Sequence, residues 1–268
     1  MKSRVITSLV VMPIVLAAIT YTQTWPLMIL GGLVVLVACW ELFGLFGARY
    51  WGTGLIPYGI VVLAFWQPHG LPTWIGFFSG LAALTAVGAF FAHLATKQGW
   101  TSAKLTVAGL WIAVPIGLLV GIHLMSNMYA LDTWRLAEPL LLILIPLWAA
   151  DIAGILVGMA IGKHLLAPKI SPKKTIEGGI GNLLAAVGVA IPLSIWLGYD
   201  WTIGLYCGLA IGILGQAGDL FESWLKRRAG VKDSGTILPG HGGVLDRIDS
   251  LLFSAPVVCL ILVNAQRV

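Results

Sequence analysis

Runs of apolar residues long enough to cross a hydrocarbon layer of about 30 Å recur along this sequence from one end to the other. Apolar residues make up 59% of the chain and charged residues 10%, with a mean hydropathy of +0.94, whereas a soluble domain is about a quarter charged. The expected fold is an all-α, polytopic integral membrane protein. Nine spans are read, at 5–21, 25–46, 54–66, 71–92, 105–125, 139–162, 180–198, 201–221 and 249–264. Lys2 and Arg4 before the first apolar run also fit a signal peptide, but the charge pattern needs that run as a helix. Cys39, Cys207 and Cys259 each stand alone in apolar segments and are read as small core residues.

Charge parity supports nine spans. With the N-terminus inside, the cytoplasmic pieces hold 14 of the 16 Lys and Arg, leaving Arg135 and Arg267 outside. Removing span 54–66 would reverse every later loop and put most of the cations outside, against the positive-inside bias. The N-terminus is therefore expected in the cytoplasm and the C-terminus outside. Residues 1–135 are read as N-terminal transmembrane helices and 136–268 as a catalytic transmembrane region with cytoplasmic loops 163–179 and 222–248. The balance of charge suits a bacterial inner membrane with its chemistry on the cytoplasmic face.

The scarce charges are unevenly placed, and ten of the 27 lie between Asp219 and Asp249. Gly204, Gly208, Gly212 and Gly215 form a stripe that lets a neighbouring backbone approach. Asp219 continues the stripe, followed by Glu222 and Ser223 on roughly the same face. Lys226, Arg227 and Arg228 then read as a basic collar where the chain leaves the apolar layer. In "GTILPGHGGVLDRID", Gly235, Gly240, Gly242 and Gly243 offer backbone N–H groups to a phosphate, although alone they would be read as a turn. Asp246 and Asp249 follow at i, i+3. Alone they would be read as favouring a helix N-terminus; with the glycine loop and the cations they suit magnesium and phosphoryl or nucleotidyl transfer. His241 is ranked as a phosphate contact above a proton-transfer group.

The other loop, "GKHLLAPKISPKKTIEGGIGN", carries Lys163, Lys169, Ser171, Lys173, Lys174, Gly178 and Gly179, a second surface that seeks anions. A basic loop against anionic lipid heads would look similar. Asp151 lies within an apolar run five residues after Pro146, and an ionisable group there is a functional candidate or a tie between helices. His69, His93, His123 and His164 show no ligand spacing and are read as interfacial or structural.

Ser223, Leu225-Lys226-Arg227, Lys232-Asp233-Ser234-Gly235 and Leu238-Pro239-Gly240-His241-Gly242-Gly243-Val244, followed by Asp246-Arg247-Ile248-Asp249, resemble the signature of the phosphatidate cytidylyltransferase, or CDP-diacylglycerol synthase, family. No departure occurs within this block. "SPKKTIEG", "GDLFES" and the position of Asp151 also resemble the family. The resemblance is close over about residues 140–255, and the preceding part agrees only in being successive membrane helices. It implies an enzyme that joins CTP and phosphatidic acid into CDP-diacylglycerol and pyrophosphate. Under it, Asp219 and Asp246 would hold magnesium, with Asp249 either a ligand or a support for one, and with room for a second cation. Lys226, Arg227, Lys232, His241 and Arg247 would contact phosphates. Asp151, Ser171, Lys173, Lys174, Gly178, Gly179, Ser223, Gly242 and Gly243 would complete substrate binding. The expected partners are these substrates and the bilayer, with no nucleic acid, and a homodimer is one assembly the sequence allows.

A CTP-dependent lipid kinase is the nearest rival, separated by its products. A transporter would gather its polar groups near the bilayer midplane instead of in two loops on one face. The spacing expected of a CDP-alcohol phosphotransferase is not found.

Overall fold

The structure, a computed structural model, describes residues 12–21, 23–47, 58–59, 61–62, 102–129, 138–238, 240 and 242–265. The expected span 71–92 lies outside these residues, and spans 5–21 and 54–66 lie partly outside. The described chain is mostly helical, and five of its helices are long and apolar enough to cross a membrane. It divides into two compact units, Met1–Ala137 with Asp233–Ile248, and Glu138–Lys232 with Asp249–Val268.

In the first unit, residues 12–20 form α1. The helix α2, Trp25–Leu45, starts with a proline in its first turn, where the missing N–H costs nothing, and gives way to Gly47 at φ +72. α3, Ser102–Tyr129, spans the apolar segment Val107–Ser126, which is largely buried within the protein. Close approach depends on two glycines. A Cβ on Gly31 would stand 2.7 Å from the Tyr58 hydroxyl, and one on Gly117 would stand 2.9 Å from Val61. The Tyr58 hydroxyl donates to Met28 O at 2.6 Å. His123 is fully buried, with Nδ1 3.2 Å from Thr24 Oγ1 and Nε2 3.0 Å from Ile19 O, which is the structural role expected of it.

In the second unit, α4 (Glu138–Ile161) packs on α5 (Ile176–Trp196) through small residues. A Cβ on Gly178 would lie 2.7 Å from Gly154 O, and one on Gly181 2.7 Å from Val157, the close packing that glycine allows between membrane helices. Between them the chain forms an antiparallel hairpin, β1 (Leu165–Ala167) and β2 (Ser171–Thr175). Thr175 caps α5, its hydroxyl accepting from Gly178 N at 3.1 Å. The segment expected as a loop at 163–179 is thus a hairpin followed by the first turn of a helix.

α6 (Trp201–Ala210), capped by Asp200, runs through a π turn at Ile211–Gly215 into α7 (Gln216–Arg228). Helix therefore extends through residues 222–228, which the sequence suggested as loop. The π turn inserts a residue and rotates the face, so the expected glycine stripe divides. Gly204, Gly208 and Gly212 meet α5, with a Cβ on Gly208 falling 2.6 Å from Val187 Cα. Gly215 and Gly218 instead meet residues of α8 (Leu245–Asn264), and a Cβ on Gly218 would collide with Asp249 O. Trp25, Trp196 and Trp201 are exposed at helix ends, as interfacial anchors would be.

Candidate active site

Helical spacing places Asp219, Glu222, Ser223 and Lys226 along one face of α7. Glu222 is fully buried and forms an ion pair with Lys226 one turn on. Ser223 Oγ is 3.4 Å from Asp219 Oδ1 as its donor. The other oxygen of Asp219, which is about one-third exposed, pairs with Lys174 from β2. This ion pair joins two segments 45 positions apart in the chain.

Asp249 is buried in the same unit, its Oδ1 accepting from Ser250 N at 2.6 Å. It lies within Coulombic reach of Asp219, Lys226 and Asp151. Asp151 projects from α4 with its side chain exposed. Arg227 is partly committed to the backbone: Nε donates to Ile170 O at 3.2 Å and Nη1 to Val231 O at 2.9 Å, which clips the hairpin turn to the end of α7. Lys173, Lys232 and Arg247 are exposed, and Ser171 is half-buried. Gly178 packs against α4. Gly179 makes room for Gln216, whose Nε2 donates to Gly179 O at 3.0 Å and Gly212 O at 2.6 Å. His164 Nδ1 lies 2.6 Å from Glu177 Oε1 and ties the base of the hairpin to α5.

A further carboxylate of the signature, Asp246, belongs to the first unit. Its Oδ2 accepts from Ser234 N (3.0 Å), Ser234 Oγ (3.0 Å) and Gly243 N (2.7 Å). Gly240 and Gly242 have φ +77 and +83, a left-handed backbone that favours glycine. A Cβ on Gly242 would also stand 2.7 Å from Asp246 Oδ2. His241 lies outside the described residues.

The sequence reading did not single out Glu41. It is buried near the end of α2, and both its oxygens face the glycine loop. Oε1 accepts from Val244 N at 3.0 Å; Oε2 accepts from Leu245 N at 2.8 Å and stands 3.3 Å from Ser234 Oγ. One signal was available, a lone acid in a helix of mean hydropathy 2.2.

Among the described residues, no three His, Cys, Asp or Glu side chains are arranged to hold a metal ion. In donor chemistry, however, Asp219 and Asp249, which lie near one another, carry hard oxygen donors of the kind magnesium takes.

A membrane-embedded helical bundle with carboxylates and lysines gathered at the end of an apolar helix is an arrangement suited to handling phosphates at a membrane surface. A model of the cytidylyltransferase family matches residues 2–264, and the chain belongs to that family. It is 44% identical over 120 residues to a phosphatidate cytidylyltransferase of Staphylococcus aureus strain COL, and 46% identical over 121 residues to that of Staphylococcus saprophyticus. It is also 46% identical over 119 residues to the Staphylococcus haemolyticus protein. Each match takes in 44% of this chain and 46% of the relative, so the chain spans a little under half the length of these relatives.

Proposed function

We propose that this protein is a phosphatidate cytidylyltransferase, joining CTP and phosphatidic acid to give CDP-diacylglycerol and pyrophosphate. The observation that carries the reading is the Lys174–Asp219 pair beside Asp249, because it puts a movable cation, an exchangeable acid and a buried acid together at the end of an apolar helix. Family membership and the names of the relatives support the same reading.

In the proposed step, an oxygen of the lipid phosphate attacks the α-phosphorus of CTP. A P–O bond forms there, the bond to the bridging oxygen of the β-phosphate breaks, and pyrophosphate leaves with that electron pair. No general base is needed, because the nucleophile is already an anion. Asp219 and Asp249 are the carboxylates proposed to hold magnesium, which when bound would neutralise charge on the triphosphate. Asp246, paired with Asp219 as a ligand in the sequence reading, is kept as a proposed ligand as well. Lys174 would leave Asp219 for a substrate phosphate, while Lys226 stays with Glu222. Lys173, Lys232 and Arg247, exposed and cationic, are proposed to receive phosphates; His241 keeps its proposed phosphate contact. Asp151, Ser171, Ser223 and the glycines Gly178, Gly179, Gly242 and Gly243 are proposed to shape the surroundings of the substrates. We further propose nine spans with the N-terminus cytoplasmic, the C-terminus outside and the site on the cytoplasmic face of a bacterial inner membrane.

The test uses purified protein in detergent with phosphatidic acid, magnesium and CTP labelled separately at the α- and γ-phosphates. The expected outcome is α-label in the lipid, γ-label in pyrophosphate and an inactive Asp249→Asn protein. Label from the γ-phosphate in the lipid would make the protein a kinase, and no lipid label with either CTP would overturn the enzyme reading.

A further inference from the structure

We propose that Glu41 is a positioning residue for phosphate binding, holding the two ends of the glycine loop, Ser234–Gly235 and Gly242–Leu245, in the shape that receives a substrate phosphate. This rests on the cytidylyltransferase reading, and names the part of the site that a membrane helix controls.

The geometry is specific. Glu41 approaches from α2, just over two hundred positions earlier in the chain, and divides its oxygens between the amides of Val244 and Leu245. Leu245 N is the first amide of α8 and Val244 N immediately precedes it, a place where a negative charge is also favoured by the helix dipole. Its Oε2 shares Ser234 Oγ with Asp246 Oδ2. One hydroxyl carries one proton, so it donates to one carboxylate at a time and links the two into a single network. The fit is close around the Glu41 side chain: a Cβ on Gly235 would collide with Oε1, and one on Gly243 would stand 2.5 Å from Oε2. Gly235 is therefore explained by space for Glu41, and Gly243 by space for Ser234 Oγ and then Glu41, whereas the sequence offered both as phosphate-facing. The positive φ at Gly240 and Gly242 then bends the chain between two ends that are already held.

A packing role alone would need only bulk and burial. A carboxylate is needed here because its two oxygens accept from two adjacent amides at once. An amide of the same size has a single carbonyl oxygen and would turn N–H against N–H at the other position. Asp lacks one methylene of the reach.

The experiment compares wild type, Glu41→Gln, Glu41→Asp and Ser234→Ala as full chains in detergent. Transfer of α-label from CTP to lipid is measured while CTP is varied at fixed phosphatidic acid, and then the reverse. Hydrogen exchange of peptides covering 233–248 is read beside it. The expected result for Glu41→Gln is a loss of kcat/KM of about tenfold or more, as removing a hydrogen bond to a charged group would produce, with faster exchange confined to 233–248. A rise in KM for CTP would place the held loop on the nucleotide, and a rise in KM for phosphatidic acid would place it on the lipid phosphate. Ser234→Ala should move the same readouts by less. A Glu41→Gln protein that melts lower but keeps wild-type kcat/KM and unchanged exchange at 233–248 would overturn the proposal, leaving Glu41 a structural staple. If Glu41→Gln does not fold, Glu41→Asp and Ser234→Ala with wild-type kinetics and exchange would overturn it as well. An inactive wild type would instead overturn the enzyme reading, and the exchange comparison would still decide whether Glu41 shapes the loop.

Discussion

Two groups of carboxylates in this protein are satisfied in different ways. In the first unit, Glu41 and Asp246 receive fixed backbone amides and one serine hydroxyl. In the second, Asp219 and Glu222 meet lysine side chains, and Asp249 lies among charges of both signs. An amide in a folded loop cannot leave, so a carboxylate oxygen bound to it is held in place. A lysine on a four-carbon stem can turn to another anion, so a carboxylate paired with it can exchange its partner for a cation or give its partner to a phosphate. The first kind of site holds a shape that a reaction can use, and the second can exchange its partners during one.

Substitutions would break or sharpen this contrast. The largest effect is expected at Asp219: Asp219→Asn should lower transfer of α-label to lipid by roughly a hundredfold or more, as loss of a group that organises transition-state charge does, with little change in melting temperature. If Asp219→Asn melted the protein instead, the second site would be an anchor like the first. Gly218→Ala comes next. Its methyl would collide with Asp249 O, and overpacking of this kind costs about 1–3 kcal/mol, read as a fall in Tm accompanied by lost activity. Lys174→Met should reduce transfer by about tenfold, within the range for a hydrogen bond to a charged group, mainly through KM. Lys173→Met, which lacks the pairing with Asp219, should do less, and equal effects would remove the special place given to Lys174.

The smallest effect is expected at the cap of α6, Asp200, 19 positions before Asp219. Hydrogen bonds from the Thr202 hydroxyl and then its backbone N–H hold the Asp200 carboxyl below its ordinary value. A group whose folded pKa is depressed stabilises the fold above its unfolded pKa, and that stability is lost as pH falls through the folded value. Asp200→Ala should therefore lower Tm slightly at neutral pH, and the difference should shrink as pH drops through the carboxylate range. A difference that persisted in acid would point to packing and away from the charge.

Much of this was legible in the residues. Spans 25–46, 105–125, 139–162 and 180–198 correspond to helices within a few residues at either end, because hydropathy is a local property. The block from Ser223 to Asp249 was readable as a signature because its charges are close together in sequence. The π turn was not readable, since Ile211–Gly215 has no composition that marks an extra residue in a helical turn, and the glycine stripe was therefore followed one turn too far. The hairpin was hidden because its lysines and proline resemble loop. Glu41 was passed over because its partners are as far as 204 positions away.

By itself, the sequence determined the membrane class, the apolar helices and the small set of charges available for chemistry, because each follows from residue type and near neighbours. Tertiary structure alone decided which carboxylates meet amides and which meet lysines. That division depends on donors brought from distant segments, and a carboxyl group carries no mark of its eventual partner.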